Sequence, residues 1–387
     1  VSKGIAEVPG ILCGTASCGL KGEGKPDILL VVTQKPAVFS AVFTENDIKS
    51  APVKYSKGVR GRINGIVANS GNANACTGRQ GLDDAKTMAE LAGKLTGRGQ
   101  PFLVASTGVI GEPLPMERVK AGIALAVKNL GRARGAEPAT AIMTTDTFPK
   151  TAFVECSGYV IGGIAKGAGM IDPSMATMLC FVATDARISR SFLAESLKES
   201  VEESFNRITV DGDMSTNDCV FAISTGASTV SIDEKNHGEF TENLKLLLNQ
   251  LAYQIVRDGE GATKVLKVVV RGARSPKQAK AVARKVALSP LVKTAVFGGD
   301  PNWGRVAAVA GSAKTGIDEE RLEISIGDFL LFSGKPVPYS RKHIESYMKT
   351  AREIAITLNL NLGSAEWEYL TCDLTYEYVR INAEYTT

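Results

Sequence analysis

Between Lys166 and Phe181 the chain reads Lys-Gly-Ala-Gly-Met-Ile-Asp-Pro-Ser-Met-Ala-Thr-Met-Leu-Cys-Phe. The glycines and Pro173 oppose a helix through the first half of this stretch. The apolar run that follows, 178–184, has the length and composition of a buried strand. Thr177, a β-branched hydroxyl, therefore stands at the entrance of a central strand, where regular structure holds a side chain rigidly. If the bond between Ala176 and Thr177 is severed, Thr177 gains a free α-amine beside its hydroxyl. Nucleophile and base then sit on one residue.

The rest of the chain alternates strands and helices. Apolar runs at 28–32, 37–44, 65–69 and 102–107 predict strands, and helical spacing predicts helices at 83–95 and 116–130. Runs at 152–156 and 159–165 predict a hairpin across Ser157-Gly158. Helices follow at 189–207, capped by Ser189, and at 240–257. Past Glu260 the pattern restarts with a strand at 265–270, a basic helix near 276–287 and a second strand at 293–297. Strands within 321–332, a helix at 341–358 and antiparallel strands within 366–385 complete it. A soft boundary near residue 270 separates a larger part, about 1–270, from a smaller α/β part, about 271–387. The 39 glycines among 387 residues, with only 6% aromatics, favour closely packed α/β layers over a disordered chain.

Several classes of function are disfavoured. The 45 basic and 41 acidic residues are interspersed, so neither nucleic acid nor an anionic membrane is expected as a partner. No apolar run approaches the roughly 20 residues that cross a bilayer. Seven cysteines, an odd number without CxxC spacing, predict buried reduced thiols rather than disulfides or zinc, and a reducing compartment. Val1-Ser-Lys-Gly carries no signal-peptide pattern and no Met. A cytoplasmic location is expected, or a mitochondrial or plastid matrix where a transit peptide has been removed. The chain has 2 histidines, His237 in a polar turn and His343 on a basic helix, and both read as solvated. A histidine-based triad is poorly supported, and no metal site is expected. A covalent mechanism then needs another base. An α-amine, which in short peptides titrates at about pH 7.7–8.0, supplies it.

Two motif-like stretches read as turns. Gly19-Leu-Lys-Gly-Glu-Gly-Lys-Pro nearly matches a phosphate loop, but Pro26 stands where that loop needs Ser or Thr. Asp211-Gly-Asp-Met-Ser-Thr-Asn-Asp fails the calcium-loop pattern. Three other segments are less easily read as structure alone. Thr107-Gly108 ends a strand where a hydroxyl and a backbone N–H can face a developing oxyanion. Thr144-Thr-Asp-Thr closes a helical pattern, and Glu260 lies between two glycines where a simple turn needs no glutamate.

With those residues in place, the chain resembles the ornithine acetyltransferase family (ArgJ, the bifunctional glutamate N-acetyltransferases of arginine biosynthesis). The marks are Thr144-Thr-Asp-Thr, Lys166-Gly-Ala-Gly-Met, Met175-Ala-Thr-Met-Leu, Asp211-Gly-Asp-Met-Ser-Thr-Asn-Asp, Gly259-Glu-Gly-Ala-Thr-Lys, Asp300-Pro-Asn-Trp-Gly-Arg and Val379-Arg-Ile-Asn-Ala-Glu-Tyr-Thr-Thr. They run in order along nearly the whole chain. Ala168 and Asp172 depart from the family's usual residues without touching the hydroxyl chemistry.

The resemblance implies a DmpA/ArgJ-like αββα sandwich of the N-terminal-nucleophile type, with a smaller C-terminal α/β domain. It implies self-cleavage between Ala176 and Thr177 into an alpha fragment, 1–176, and a beta fragment, 177–387, that stay associated as a dimer of such pairs. Thr177 takes acetyl from N-acetylornithine and passes it to glutamate, with Thr107 and Gly108 as oxyanion hole. Thr144, Lys166, Thr177, Glu260, Asn382 and Thr387 match the substrate-binding positions. Lys166 suits a carboxylate and Glu260 an ammonium. No cofactor is implied, although acetyl-CoA is an alternative donor that no single residue decides. Competing readings are a self-processing aminopeptidase or amidase of the same fold, a secondary-metabolism acetyltransferase paralogue, and a non-enzymatic scaffold that stays one chain.

Overall fold

The computed structural model describes residues 2–172 and 178–384; Ala176, Thr177 and Thr387 lie outside the described residues. The chain forms two compact units, one of residues 2–206 and 213–255, the other of 207–212 and 256–384.

The first unit contains β1 Ile11–Ala16, β2 Ile28–Phe43, α1 Ala51–Gly58, β3 Ile63–Asn72, α2 Gly78–Thr96, β4 Phe102–Val109, α3 Met116–Lys128 and α4 Glu137–Ile142. It continues through β5 Lys150–Glu155, β6 Val160–Lys166, β7 Leu179–Thr184, β8 Arg187–Ile188, α5 Arg190–Glu202, β9 Cys219–Ser224, β10 Ser231–Ile232 and α6 His237–Arg257. The strands run β4-β3-β2-β9-β7-β6-β5, with β1 beside β2. β2, 16 residues long, serves two layers: Ile28–Val32 pairs with β3, while Val38–Phe43 pairs with β9.

Strand alternation decides what each face buries. Ile28, Leu30, Val32, Val67, Phe102 and Val104 pack with Met88, Ala89, Val119 and Ile123 of α2 and α3. The opposite-facing Leu29, Val31, Ile66, Ala68, Leu103 and Ala105 share a core with Leu179, Phe181, Phe221 and Ile223. There Phe181 stacks on Phe221 with ring centroids 5.5 Å apart. Truncating either ring to Ala should cost about 3–5 kcal/mol. On the far side, α6 buries Phe240, Leu244, Leu247, Leu248 and Leu251 at helical spacing. Its Gln254 exchanges hydrogen bonds with the Thr151 backbone of β5 at 3.0 and 3.2 Å. The layers are helix, sheet, sheet, helix, the expected αββα sandwich.

The second unit holds β11 Val265–Ala273, α7 Pro276–Ala287, α8 Pro290–Gly298, α9 Trp303–Gly311, β12 Glu323–Ile326, β13 Phe329–Ser333, α10 Arg341–Thr350, β14 Glu353–Asn359, β15 Ala365–Cys372 and α11 Tyr376–Glu384. Its sheet order is β13-β12-β14-β11-β15, with β11 and β14 parallel.

Some expected elements differ. The strand expected at 293–297 is α8, because Ser289 accepts the Val292 N–H and Pro290 takes the first helical turn. The helix expected at 341–358 stops at Thr350, and Glu353–Asn359 is a strand whose Ile354, Ile356 and Leu358 alternate into the core. Within 366–385, β15 is followed by α11 rather than by another strand. β9, buried along its whole length between β2 and β7, was not anticipated. Of the seven free cysteines, Cys76 is exposed and Cys18 and Cys156 are half-buried, so the expectation of uniform burial fails there. His237 is half-buried rather than solvated, with Nε2 2.8 Å from Ser196 Oγ and 3.1 Å from the Phe192 carbonyl. No described helix is long and apolar enough to cross a membrane.

Candidate active site

Thr107 and Gly108 lie near the end of β4, where its parallel pairing with β3 slips at Gly71 and Asn72. Gly108 has φ +131°, and a Cβ there would stand 2.2 Å from the Gly71 carbonyl carbon. Only glycine lets the two backbones approach this closely. Polar side chains buttress this corner. Ser106 Oγ donates to Asn69 Oδ1 (2.6 Å), and Asn217 Nδ2 donates to the carbonyls of Ala73 (2.7 Å) and Ser106 (2.8 Å). Asn217 belongs to the acidic stretch that looked metal-like. No group of His, Cys, Asp and Glu among the described residues suits a metal ion, and Asn217 is used as a strut.

Ser70, the β-register partner of Thr107, donates to the Ala141 carbonyl (2.7 Å) and so ties this corner to α4. Beyond α4 the chain turns through Thr144 to Asp146, and Asp146 organises a buried charge cluster. Its carboxylate accepts from Thr144 N (3.0 Å), Gly167 N (2.7 Å) and Lys150 Nζ (2.6 Å). Burial alone would raise the Asp146 pKa, but Lys150, Lys166 and the Gly167 N–H outweigh it and hold the carboxyl below its ordinary value. Lys166, at the end of β6 and 4% exposed, reaches Thr144 Oγ1 at 3.4 Å. The structure thus brings Thr144 and Lys166, two of the expected substrate-binding residues, together. Two ammonium groups, those of Lys150 and Lys166, thus act on the Asp146 carboxylate, and a buried ammonium is a group that suits a substrate carboxylate.

Lys21 escaped the sequence reading. Its Nζ donates to the carbonyls of Met143 (2.8 Å) and Thr140 (3.3 Å), so two lysines serve the step from Met143 to Thr144. Burial lowers its pKa to about 8, a fall opposed by Asp27 and Asp146 and aided by Lys166. The only sequence signal was its place in the phosphate-loop-like stretch, correctly read as a turn but not as one that reaches α4.

β6 and β7 are antiparallel neighbours, with Lys166 opposite Leu179. The segment carrying Thr177 therefore leaves and re-enters the sheet at adjacent positions. Both ends are held by buried acids: Gly167 N–H by Asp146, and Met178 N–H by Asp218 Oδ1 at 2.9 Å.

In the second unit, Glu260 is buried between Gly259 and Gly261. Gly261 has φ +68°, and a Cβ there would meet the Tyr378 backbone N at 2.5 Å, so the start of α11 packs directly on the turn. Thr375 Oγ1 donates to the Gly261 carbonyl (2.7 Å). Further along α11, Asn382 Nδ2 donates to Glu260 Oε2 at 2.8 Å. The structure joins this second pair of expected site residues. Such an amide–carboxylate pair can accept an ammonium group while holding its orientation.

A family model described as the ArgJ family matches residues 12–387. The chain is 44% identical over 397 residues to the arginine biosynthesis bifunctional protein ArgJ of Symbiobacterium thermophilum, covering 99% of this chain and 98% of that one. It is 45% identical over 382 residues to the protein of the same name from Aquifex aeolicus, covering 97% and 99%. Among solved structures, that of arginine biosynthesis bifunctional protein ArgJ from Bacillus halodurans matches with TM-score 0.51 and 41% identity, covering 53% of this chain and 98% of that chain.

Proposed function

Because this chain belongs to the ArgJ family, we propose that it is a glutamate N-acetyltransferase of arginine biosynthesis, moving acetyl from N-acetylornithine to glutamate through an ester on Thr177. One observation carries the reading most directly. The segment that holds Thr177 is pinned at both ends by buried carboxyl groups, beside a buried charge cluster containing Thr144 and Lys166. A nucleophile needs that fixity, and an amino-acid substrate needs that charge.

Maturation comes first in this reading. Thr177 Oγ attacks the Ala176 carbonyl carbon, the peptide bond to the Thr177 nitrogen breaks, and the nitrogen takes up a proton. Water then hydrolyses the resulting ester, leaving fragments 1–176 and 177–387. In each turnover the Thr177 amine accepts the hydroxyl proton as the oxygen attacks the acetyl carbonyl. The tetrahedral oxyanion is stabilised by Thr107 Oγ and the Gly108 N–H. Collapse returns the proton to the leaving amine and releases ornithine. The glutamate amine then attacks the acetyl ester, the bond to Thr177 Oγ breaks, and N-acetylglutamate departs.

Thr144 and Lys166 bind a substrate carboxylate in this scheme, and Glu260, Asn382 and Thr387 its ammonium and neighbouring polar atoms. No cofactor takes part, and acetyl-CoA is proposed only as a second donor. The proposed assembly is a dimer of cleaved pairs, in cytoplasm or an organelle matrix. Intact-mass analysis together with acetyl transfer from N-acetylornithine, with and without glutamate, tests the reading. Wild-type protein should give two fragments and Thr177→Ala a single inactive chain. A Thr177→Ala protein that still matures, or full-rate acetate release without glutamate, would overturn it.

A further inference from the structure

We propose that Asp218 is a positioning residue for the junction between Ala176 and Thr177, acting as a neutral carboxylic acid that fixes the backbone amide one residue beyond the nucleophile. This rests on the reading that the chain cuts itself there. Asp218 has no part in the scheme proposed above, and the sequence placed it in a mere turn.

Residues 218 and 219 grip Met178 from both sides. Asp218 Oδ1 accepts the Met178 N–H at 2.9 Å, and the Cys219 N–H donates to the Met178 carbonyl at 3.1 Å. The Asp218 carbonyl in turn accepts the Thr44 N–H at 3.0 Å, which fastens the grip to the end of β2. A peptide unit is planar, so fixing the Met178 nitrogen restrains the peptide plane through which the chain enters β7.

The form of the acid follows from its surroundings. Asp218 is fully buried, and its Oδ2 has no hydrogen-bond partner among the described residues. An ionised carboxylate in that position would be stripped of its hydration with one oxygen poorly compensated, which favours the protonated form. Burial pushes its pKa well above the ordinary aspartate range, against the pull of Lys166, the Met178 N–H and the nearby Thr44 and Ser215 hydroxyls. A neutral acid keeps one oxygen as acceptor for the amide and gives the other a proton to donate. An asparagine side chain reproduces both features without any titration.

The test compares Asp218→Asn and Asp218→Ala with wild-type protein, following conversion of precursor to fragments by denaturing electrophoresis, and kcat and KM of the mature enzyme. Asp218→Ala should slow both conversion and kcat by at least about tenfold, with KM for N-acetylornithine within about twofold. Asp218→Asn should restore both rates to within about threefold, with a pH profile that overlays wild type from about pH 6 to 8. If Asp218→Ala does not fold, Asp218→Ser, too short to reach the amide, takes its place. An Asp218→Asn protein as slow as the Ala variant would overturn the proposal by showing that the charge is needed. Wild-type rates in the Ala or Ser variant would overturn it by showing that the grip is idle. A wild-type chain that never cleaves would instead remove the underlying reading.

Discussion

Replacing Asp146 with asparagine removes the one negative charge at the centre of the buried cluster while keeping nearly the same shape. Both side chains of the Asp146–Lys150 pair are 0% exposed and meet at 2.6 Å. Breaking a buried pair from one side typically costs about 3–5 kcal/mol, because the other charge stays buried without compensation. Asp146 also accepts the N–H groups of Thr144 and Gly167. A single amide oxygen serves those two donors poorly, which adds about 1 kcal/mol or more. The sum, about 4–6 kcal/mol, is a large share of the roughly 5–15 kcal/mol that keeps a domain folded. Urea unfolding followed by circular dichroism at neutral pH should show this loss in Asp146→Asn. Adding Lys150→Met should recover about half of it, since the charge that paired directly with Asp146 is then gone as well. The pH dependence follows from the depressed native pKa. The stabilisation is fully present above the unfolded-state value, about 4, and is lost as pH falls through the native value, so Asp146→Asn should lack this acid limb. An Asp146→Asn protein within about 1 kcal/mol of wild type, or a double variant weaker than the single one, would refute the reasoning.

Gly108→Ala places a Cβ against the Gly71 backbone at 2.2 Å; loss of the oxyanion geometry should lower kcat by about 10²–10³, and a variant retaining a tenth of the wild-type value would count against the assignment. Lys166→Ala should raise KM for N-acetylornithine by about tenfold or more while slowing self-cleavage less, and equal loss of both would contradict its carboxylate role. Thiol labelling of the native protein, mapped by mass spectrometry, should modify exposed Cys76 first and spare Cys13, Cys180 and Cys219, whose pKa values burial raises. Labelling of Cys180 ahead of Cys76 would contradict the buried position of β7.

The sandwich was legible through the motif resemblance, while the residues themselves showed most of its strands as continuous apolar runs, β7 the clearest of them. The helix capped by Ser189 carried its own start signal. The second unit misled where β-branched residues fill a helix. Val292, Thr294 and Val296 look like a strand, and only the Ser289–Pro290 cap betrays α8. At Arg341–Thr350 the helical spacing ran on into Ile354 and Ile356, where the period changes from helical to alternating. The pairs Thr144–Lys166 and Glu260–Asn382 were legible through motif resemblance, and their side chains do meet. Lys21 and Asp218 were not. Each sits in a polar loop, and what matters about them, a helix end reached by one and complete burial of the other, arises only from tertiary packing.

The shared course of the sheet decides what a cut after residue 176 would do to the molecule. β2, β5 and β6 precede that bond, whereas β7 and β9 follow it. In the order β2-β9-β7-β6-β5, the later pair is therefore walled in on both sides by strands of the earlier piece. One ladder, Val38–Phe43 against Ser224–Cys219, and another, Ile161–Lys166 against Thr184–Leu179, bind the two polypeptides across the break. Severing the backbone would alter connectivity but not topology. The halves would part only by unfolding, and once parted each would carry bare strand edges in search of a partner.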